Sequence, residues 1–335
     1  MTEQTALTEQ TPAQQQTPSA LAEAPVLAHV VRGGFVESAH RASLVATAVD
    51  GSPVLALGGV DDPVFPRSSN KPLQALAMVR HGLVLEPELL ALACSSHSGE
   101  DFHLEGVRRI LAGAGLAEAD LQNTPDLPYD AQEQDRWRRE GREKSSLAQN
   151  CSGKHAAMLA TCVVNGWDTA TYRDPAHPLQ QAMEQALAEL AGEPVAAMAV
   201  DGCGAPVMAV SLAGLARAFG RLASAGEGTH ERSVADAIRR HPAYLGGTRR
   251  DVTALVEGTP GLIAKDGAEA VYAVGLADGR GIALKVADGG QRARPVILAA
   301  ALRRLGVESE ALRLLESAPV LGHGEPVGAV VAVGL

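Results

Sequence analysis

Apolar positions change their period along the chain. Residues 26–31 and 44–49 are short β-branched runs bounded by Gly, Ser and Asp, the pattern of strands. Asp50-Gly51 between apolar runs signals a hairpin, so residues 54–57 are expected to return as the partner strand. Pro66 closes this stretch. From Lys71, Leu73, Leu76, Ala77 and Val79 recur at helical spacing as far as Gly82. Further helices are expected over 87–94, 103–112, 152–164 (with Gly166 as C-cap), 179–190, 212–223, 234–241 and 295–305. Strands are expected over 195–200, 262–264, 270–274 and 282–286. The polar, charged stretch 123–144 reads as a surface loop, and no internal repeat is found. The order is strands, many helices, strands and a helix. That segregation predicts an α+β fold in which an antiparallel sheet is assembled from both chain ends beside a helical region.

Composition sharpens this picture. The 335 residues suffice for one large core, and with aromatics at 3% that core must be built from Ala, Val and Leu. Residues 1–24 are rich in Gln, Thr, Ala and Glu, without a basic or apolar leader, so they are expected to be a disordered tail before one catalytic domain over 25–335. A net charge of -10 argues against nucleic acid or an anionic membrane as partner. No apolar run reaches the roughly 18–20 residues of a spanning helix. Without an export signal the four cysteines are expected to be reduced thiols in the cytoplasm.

Candidate chemistry begins at Ser68-Ser69-Asn70-Lys71. A serine at a helix start and a lysine three residues on share a face, about 5–6 Å apart between Cβ atoms. A neutral lysine there can take the serine proton, and the helix N-terminus favours developing negative charge. Alone, the pair is better read as an N-cap serine and a surface lysine, because Ser-x-x-Lys is common. Lys265-Asp266-Gly267 changes that balance. Ser-x-x-Lys on a helix start followed by Lys-x-Gly on a late strand is the pattern of serine β-lactamases and penicillin-binding proteins. Between them lies Ser95-Ser96-His97-Ser98-Gly99-Glu100, a polar loop that can supply a second hydroxyl or simply cap a helix. Cys151 and Cys203, each beside Gly and ionisable groups, with Lys154 or His155 could bind a metal such as zinc, although buried thiols would look the same by spacing. Cys94 and Cys162 read as core. Arg67 suits a substrate carboxylate and Asp201 a ligand amine. His97 and His155 read as orienting groups rather than bases.

Together, segments 67–72, 95–100, 150–155, 201–206 and 265–269, in this order, resemble the L-asparaginases of the Rhizobium etli type, the class 3 or asparaginase II family of that lineage. The resemblance runs from about Val26 to the C-terminus. It implies a serine-β-lactamase-like homodimer that converts L-asparagine to L-aspartate and ammonia. It further implies Ser68 as nucleophile with Lys71 as base, a second tandem of Ser96 and Lys265, and zinc held by Cys151, Lys154 and Cys203. Arg67, His155 and Asp201 are the implied substrate contacts. Of the three serines in segment 95–100, Ser96 is assigned by its position before His97. A glutaminase, a β-lactamase, a peptide amidase and a silent amide-binding protein are the alternatives on such a fold.

Overall fold

A computed structural model describes residues 20–335. The expected tail falls mostly on residues 1–19, outside the described residues. Its last residues are folded: Ala20–Glu23 make a 3-10 turn and Ala24 is buried, its carbonyl accepting from Arg41 at 2.8 Å.

The N-terminal β-branched runs lie in β1 (Val26–Arg32), β2 (Phe35–Thr47) and β3 (Pro53–Leu57), followed by the short β4 (Pro63–Val64). The Asp50-Gly51 turn returns β3 onto β2 as expected, with Leu44 opposite Leu57. The helical part follows: α1 (Lys71–Arg80), α2 (Pro87–Ala93), α3 (Asp101–Gly113), α4 (Ala131–Arg139), α5 (Ser152–Asn165) and α6 (Pro178–Ala191). A small sheet of β5 (Ala197–Val200) and β6 (Pro206–Ser211) with β4 leads to α7 (Leu212–Ala223), α8 (His230–Arg240), α9 (Pro242–Leu245) and α10 (Asp251–Gly258). The chain then returns to the main sheet with β7 (Ile263–Gly267), β8 (Val271–Gly275) and β9 (Gly281–Val286). It ends in α11 (Arg294–Arg304), α12 (Glu310–Leu315) and a hairpin of β10 (Ser317–Gly322) and β11 (Glu325–Ala332).

The main sheet is antiparallel, in the order β10-β11-β1-β2-β9-β8-β7, with β3 also on β2. Both chain ends meet in it, since β1 pairs with β11 on one side and with β2 on the other. Gly275 and Gly281 sit opposite each other at the β8–β9 turn. A Cβ on Gly281 would stand 1.9 Å from the Ala216 carbonyl, and one on Gly275 would stand 2.1 Å from that of Phe219. Only glycine lets the α7 backbone lie directly on those strands. The opposite face is covered by α11, whose Arg294 lies over the Tyr272 ring at 4.8 Å. On the helical side, a Cβ at Gly153 would be 2.4 Å from the Leu92 carbonyl. That close approach presses the start of α5 against the end of α2 and brings two polar loops together.

Three expectations are corrected. The stretch 123–144 contains α4, which begins because the Asp130 carboxylate caps it, accepting from the amides of Gln132 and Glu133. Its helical period was hidden because it buries one large apolar residue, Trp137. The last element is a strand hairpin and not a helix. Pro319 and glycines break its apolar alternation, and edge strands tolerate both. The expected strand before Asp201 is shorter, and all four of its residues are exposed. Among the described residues no helix is long and apolar enough to cross a membrane.

Candidate active site

Ser68 does not open α1 directly. It lies in a 3-10 turn, Arg67–Asn70, that feeds into α1. Arg67 has φ 52°, a left-handed conformation that costs a non-glycine residue about 1–3 kcal/mol. The turn is held against β7: a Cβ on Gly267 would meet the Pro66 carbonyl at 2.5 Å and the Ser69 amide at 3.2 Å. Within the turn the two serines separate. Ser69 is buried, and its hydroxyl donates to the Pro66 carbonyl at 2.7 Å. Ser68 is half-buried and keeps its hydroxyl out of that bond.

One turn on, the buried Lys71 Nζ donates to the Ser95 carbonyl (2.5 Å), to Ser96 Oγ (3.0 Å) and to Cys151 Sγ (3.2 Å). Of the three loop serines, only Ser96 offers Lys71 a hydroxyl; Ser98 Oγ donates to the Gly246 carbonyl at 2.9 Å. Ser96 therefore meets Lys71, whereas the resemblance implies Lys265. The loop is pinned by the His97 amide on the Asn150 carbonyl (3.1 Å) and by His97 Nε2 with Ser152 Oγ (2.8 Å).

Lys265 is wholly buried on β7. Its ammonium donates to the Asp266 carbonyl (2.7 Å) and to Asp266 Oδ1 (2.6 Å). Burial pulls its pKa down to about 8, with Asp266 opposing the fall and Lys71 and Arg250 adding to it. At the site mouth, Arg67 Nε donates to Asp201 Oδ1 at 2.7 Å. The same oxygen accepts from the Gly202 amide. Among the described residues, neither Arg67 Nη group nor Asp201 Oδ2 has a hydrogen-bond partner. Burial works against the Asp201 charge, but Lys154 and Arg67 outweigh it and hold the carboxyl below its ordinary range.

The two cysteine loops converge behind this mouth. Lys154 Nζ is 3.3 Å from Cys203 Sγ, and Cys151, Lys154 and Cys203 are all buried. A hydrogen bond from Cys151 brings Cys203 down to about 5 against burial, with the Lys154 charge assisting. The same bond, with burial, pushes Cys151 up to about 12. Burial opposes the Lys154 charge, yet the two sulfurs and Asp201 raise it above its ordinary value. Two sulfurs and a lysine nitrogen facing one another are a donor set that suits zinc once the thiol and the ammonium have given up their protons. No group of three or more His, Cys, Asp or Glu with metal-holding geometry occurs among the described residues. All four cysteines are free. His155 is completely buried one residue on. Its Nδ1 lies 2.6 Å from the Tyr172 hydroxyl, and its Nε2 has no partner among the described residues. Burial first, then Lys154, holds His155 well below the ordinary imidazole range, so it is neutral.

The sequence profile of the L-asparaginase II family matches residues 28–332. The chain belongs to the L-asparaginase II family. No curated protein sequence matches it. Among solved structures, Mglu in its native form is 14% identical with a TM-score of 0.42, over 79% of this chain and 64% of Mglu. A β-lactamase from Mycobacterium bovis is 13% identical with a TM-score of 0.44, over 78% of this chain and 94% of that one. EstCE1, a hydrolase with promiscuous acyltransferase activity, is 13% identical with a TM-score of 0.40, over 73% and 88% of the two chains. The chain thus spans 64% of the length of Mglu in its native form.

Two groups in this L-asparaginase II chain escaped the sequence reading. Arg250, flanked in sequence by Arg249 and Asp251, reaches the Ser96 carbonyl (3.3 Å) and Asp266 Oδ2 (2.6 Å). Asp266 was visible only as the middle of Lys-x-Gly. Arg250 carries no spacing signal, because it acts across the fold: it lies 154 residues from Ser96 and 16 from Asp266.

Proposed function

We propose that this member of the L-asparaginase II family hydrolyses L-asparagine to L-aspartate and ammonia through Ser68. The observation carrying this reading is the division of labour in the 3-10 turn: Ser69 is spent on the Pro66 carbonyl, and Ser68 is the hydroxyl left at the mouth, with Lys71 one turn behind. Ser68 Oγ attacks the side-chain amide carbon and gives its proton to the neutral amine of Lys71. The resulting ammonium passes a proton to departing ammonia, with Ser96 Oγ at 3.0 Å from Lys71 Nζ serving as relay. Water then hydrolyses the acyl-enzyme. Lys265, charged near neutral pH, supplies positive potential to the developing oxyanion. The Nη groups of Arg67 take the α-carboxylate, and the uncommitted oxygen of Asp201 takes the α-amine. His155, buried and neutral, orients the Cys151–Lys154 segment from behind the substrate.

Cys151, Lys154 and Cys203 would hold zinc. When bound, the ion supplies orientation of substrate through electrostatic contact. The lysine must bind it as neutral amine, so metal and proton compete there. The proposed assembly is a homodimer. Initial rates of ammonia release from asparagine and glutamine, with a chromogenic β-lactam alongside, test the substrate: asparagine should have the highest kcat/KM, and a preference for either other compound would replace this reading. Elemental analysis should find one zinc per chain, lost in Cys203→Ser. Sedimentation should give twice the chain mass.

A further inference from the structure

A continuous set of buried bonds links the Ser96 loop to Lys265, and it runs through residues that neither motif includes. Asp266 is its centre. Its carboxylate accepts from Lys265 Nζ on Oδ1 (2.6 Å) and from Arg250 Nη2 on Oδ2 (2.6 Å), and Arg294 Nη1 stands 3.6 Å from Oδ2. Arg250 then turns its other nitrogen back to the Ser96 carbonyl at 3.3 Å. Ser96 Oγ is in turn bonded by Lys71. Lys71, Ser96, Arg250, Asp266 and Lys265 therefore form one unbroken path between α1 and β7.

We propose that Asp266 and Arg250 are positioning residues for hydrolysis, fixing the Lys265 ammonium and the Ser96 loop in mutual register; the proposal rests on the Ser-Lys reading above. Three arguments carry it. An ammonium has three donors, and Asp266 takes two of those of Lys265, through its carbonyl and its carboxylate, which aims the third. Among the described residues Arg250 is the one side chain that bonds both the Ser96 loop and the β7 carboxylate, and its planar fork is what spans them. Finally, a buried ion cluster is a costly way to hold a fold together, since apolar residues of equal volume are often as stabilising. The cluster carries more cation than it needs, for Arg294 already has Asp251 at 3.2 Å.

The groups facing Lys265 are Asp266, Lys71 from α1, Arg250 ahead of α10 and Cys94 at the end of α2. Burial pushes Cys94 up to about 12, so it is a neutral thiol. Asp266 faces Lys265, Arg250 and Arg294, with Asp251 and Tyr272 behind. Among the described residues Asp266 is thus the one anion beside Lys265, and removing its charge favours the neutral amine.

Ammonia release by Asp266→Asn, Arg250→Lys and Arg250→Met, followed from pH 6 to pH 10 with melting curves, tests the proposal. Asp266→Asn should lower kcat more than it raises KM and move the alkaline limb of kcat/KM to lower pH by about one to three units. Arg250→Met should lose about 10²-fold in kcat, the scale of a misplaced catalytic group, and Arg250→Lys should recover part of it. If the three variants melt lower but keep the wild-type kcat and pH profile while Lys265→Met is inactive, the cluster is structural and the proposal fails. If Lys265→Met itself remains active, the Ser-Lys reading fails and takes the proposal with it. Should Asp266→Asn not fold, the Arg250 pair decides.

Discussion

Gly267→Ala is a small change with a calculable effect. The backbone at Gly267 has φ -127° and ψ 159°, an extended conformation that alanine adopts freely. Backbone strain is therefore absent, and loss of unfolded-state entropy would by itself stabilise the variant by about 0.4–1 kcal/mol. The obstacle is steric. The new methyl would stand 2.5 Å from the Pro66 carbonyl oxygen, a backbone atom that cannot rotate away. Restoring an ordinary carbon–oxygen separation of about 3.3 Å requires β7 and the serine turn to part by about 0.8 Å. Overpacking of this kind costs about 1–3 kcal/mol. The same displacement moves Ser68 relative to Lys265, and a shift near 1 Å at a reacting centre costs about 10²-fold in rate. Steady-state ammonia release should show kcat down by about that factor, with a modest fall in melting temperature. Gly113→Ala is the matched control, since a Cβ there meets nothing within 4 Å in α3. A Gly267→Ala enzyme with kcat and melting temperature indistinguishable from wild type would refute the claim that β7 and the serine turn must touch.

Further outcomes follow from the buried charges. Lys265, pulled to about 8, should give kcat/KM an alkaline limb near that pH as its ammonium is lost; a profile flat from pH 7 to pH 10 would remove its charge from the mechanism. His103 is lowered to about 4, chiefly by burial, against 6.5 unfolded. The unfolded chain thus binds more protons between these values, so stability should fall as pH drops from about 6.5 towards 4, by about 3 kcal/mol from this group. Denaturant titrations at pH 7, 5 and 4 should show that loss, with a shallower slope in His103→Gln; equal slopes would mean another group sets it.

The sheet was legible because its strands include short β-branched runs and two of its turns carry Asp-Gly, and the helices because Leu and Ala recur at helical spacing. The α4 segment was not, since one buried tryptophan cannot set a period. The terminal hairpin was not, since Pro319 and three glycines mask an edge strand. At the site, Ser68, Lys71, Lys265 and the cysteine loops stood out because motif spacing survives in sequence. The pairing among them did not: that Lys71 meets Ser96 while Lys265 meets Asp266 is decided by how α5 presses on α2 and where β7 crosses the turn. Arg250 has no neighbour in sequence to announce it, and only the fold reveals its two partners.

The central claim is that Ser68 is the nucleophile, and a paired measurement on Ser68→Ala tests it most directly. Asparagine turnover and asparagine binding by calorimetry are taken on the same preparation, with its melting curve. The half-buried hydroxyl makes no structural bond of the kind Ser69 makes, so the fold and the binding should survive, while kcat should fall by about 10⁴-fold or more. Near-normal turnover by Ser68→Ala would contradict the account.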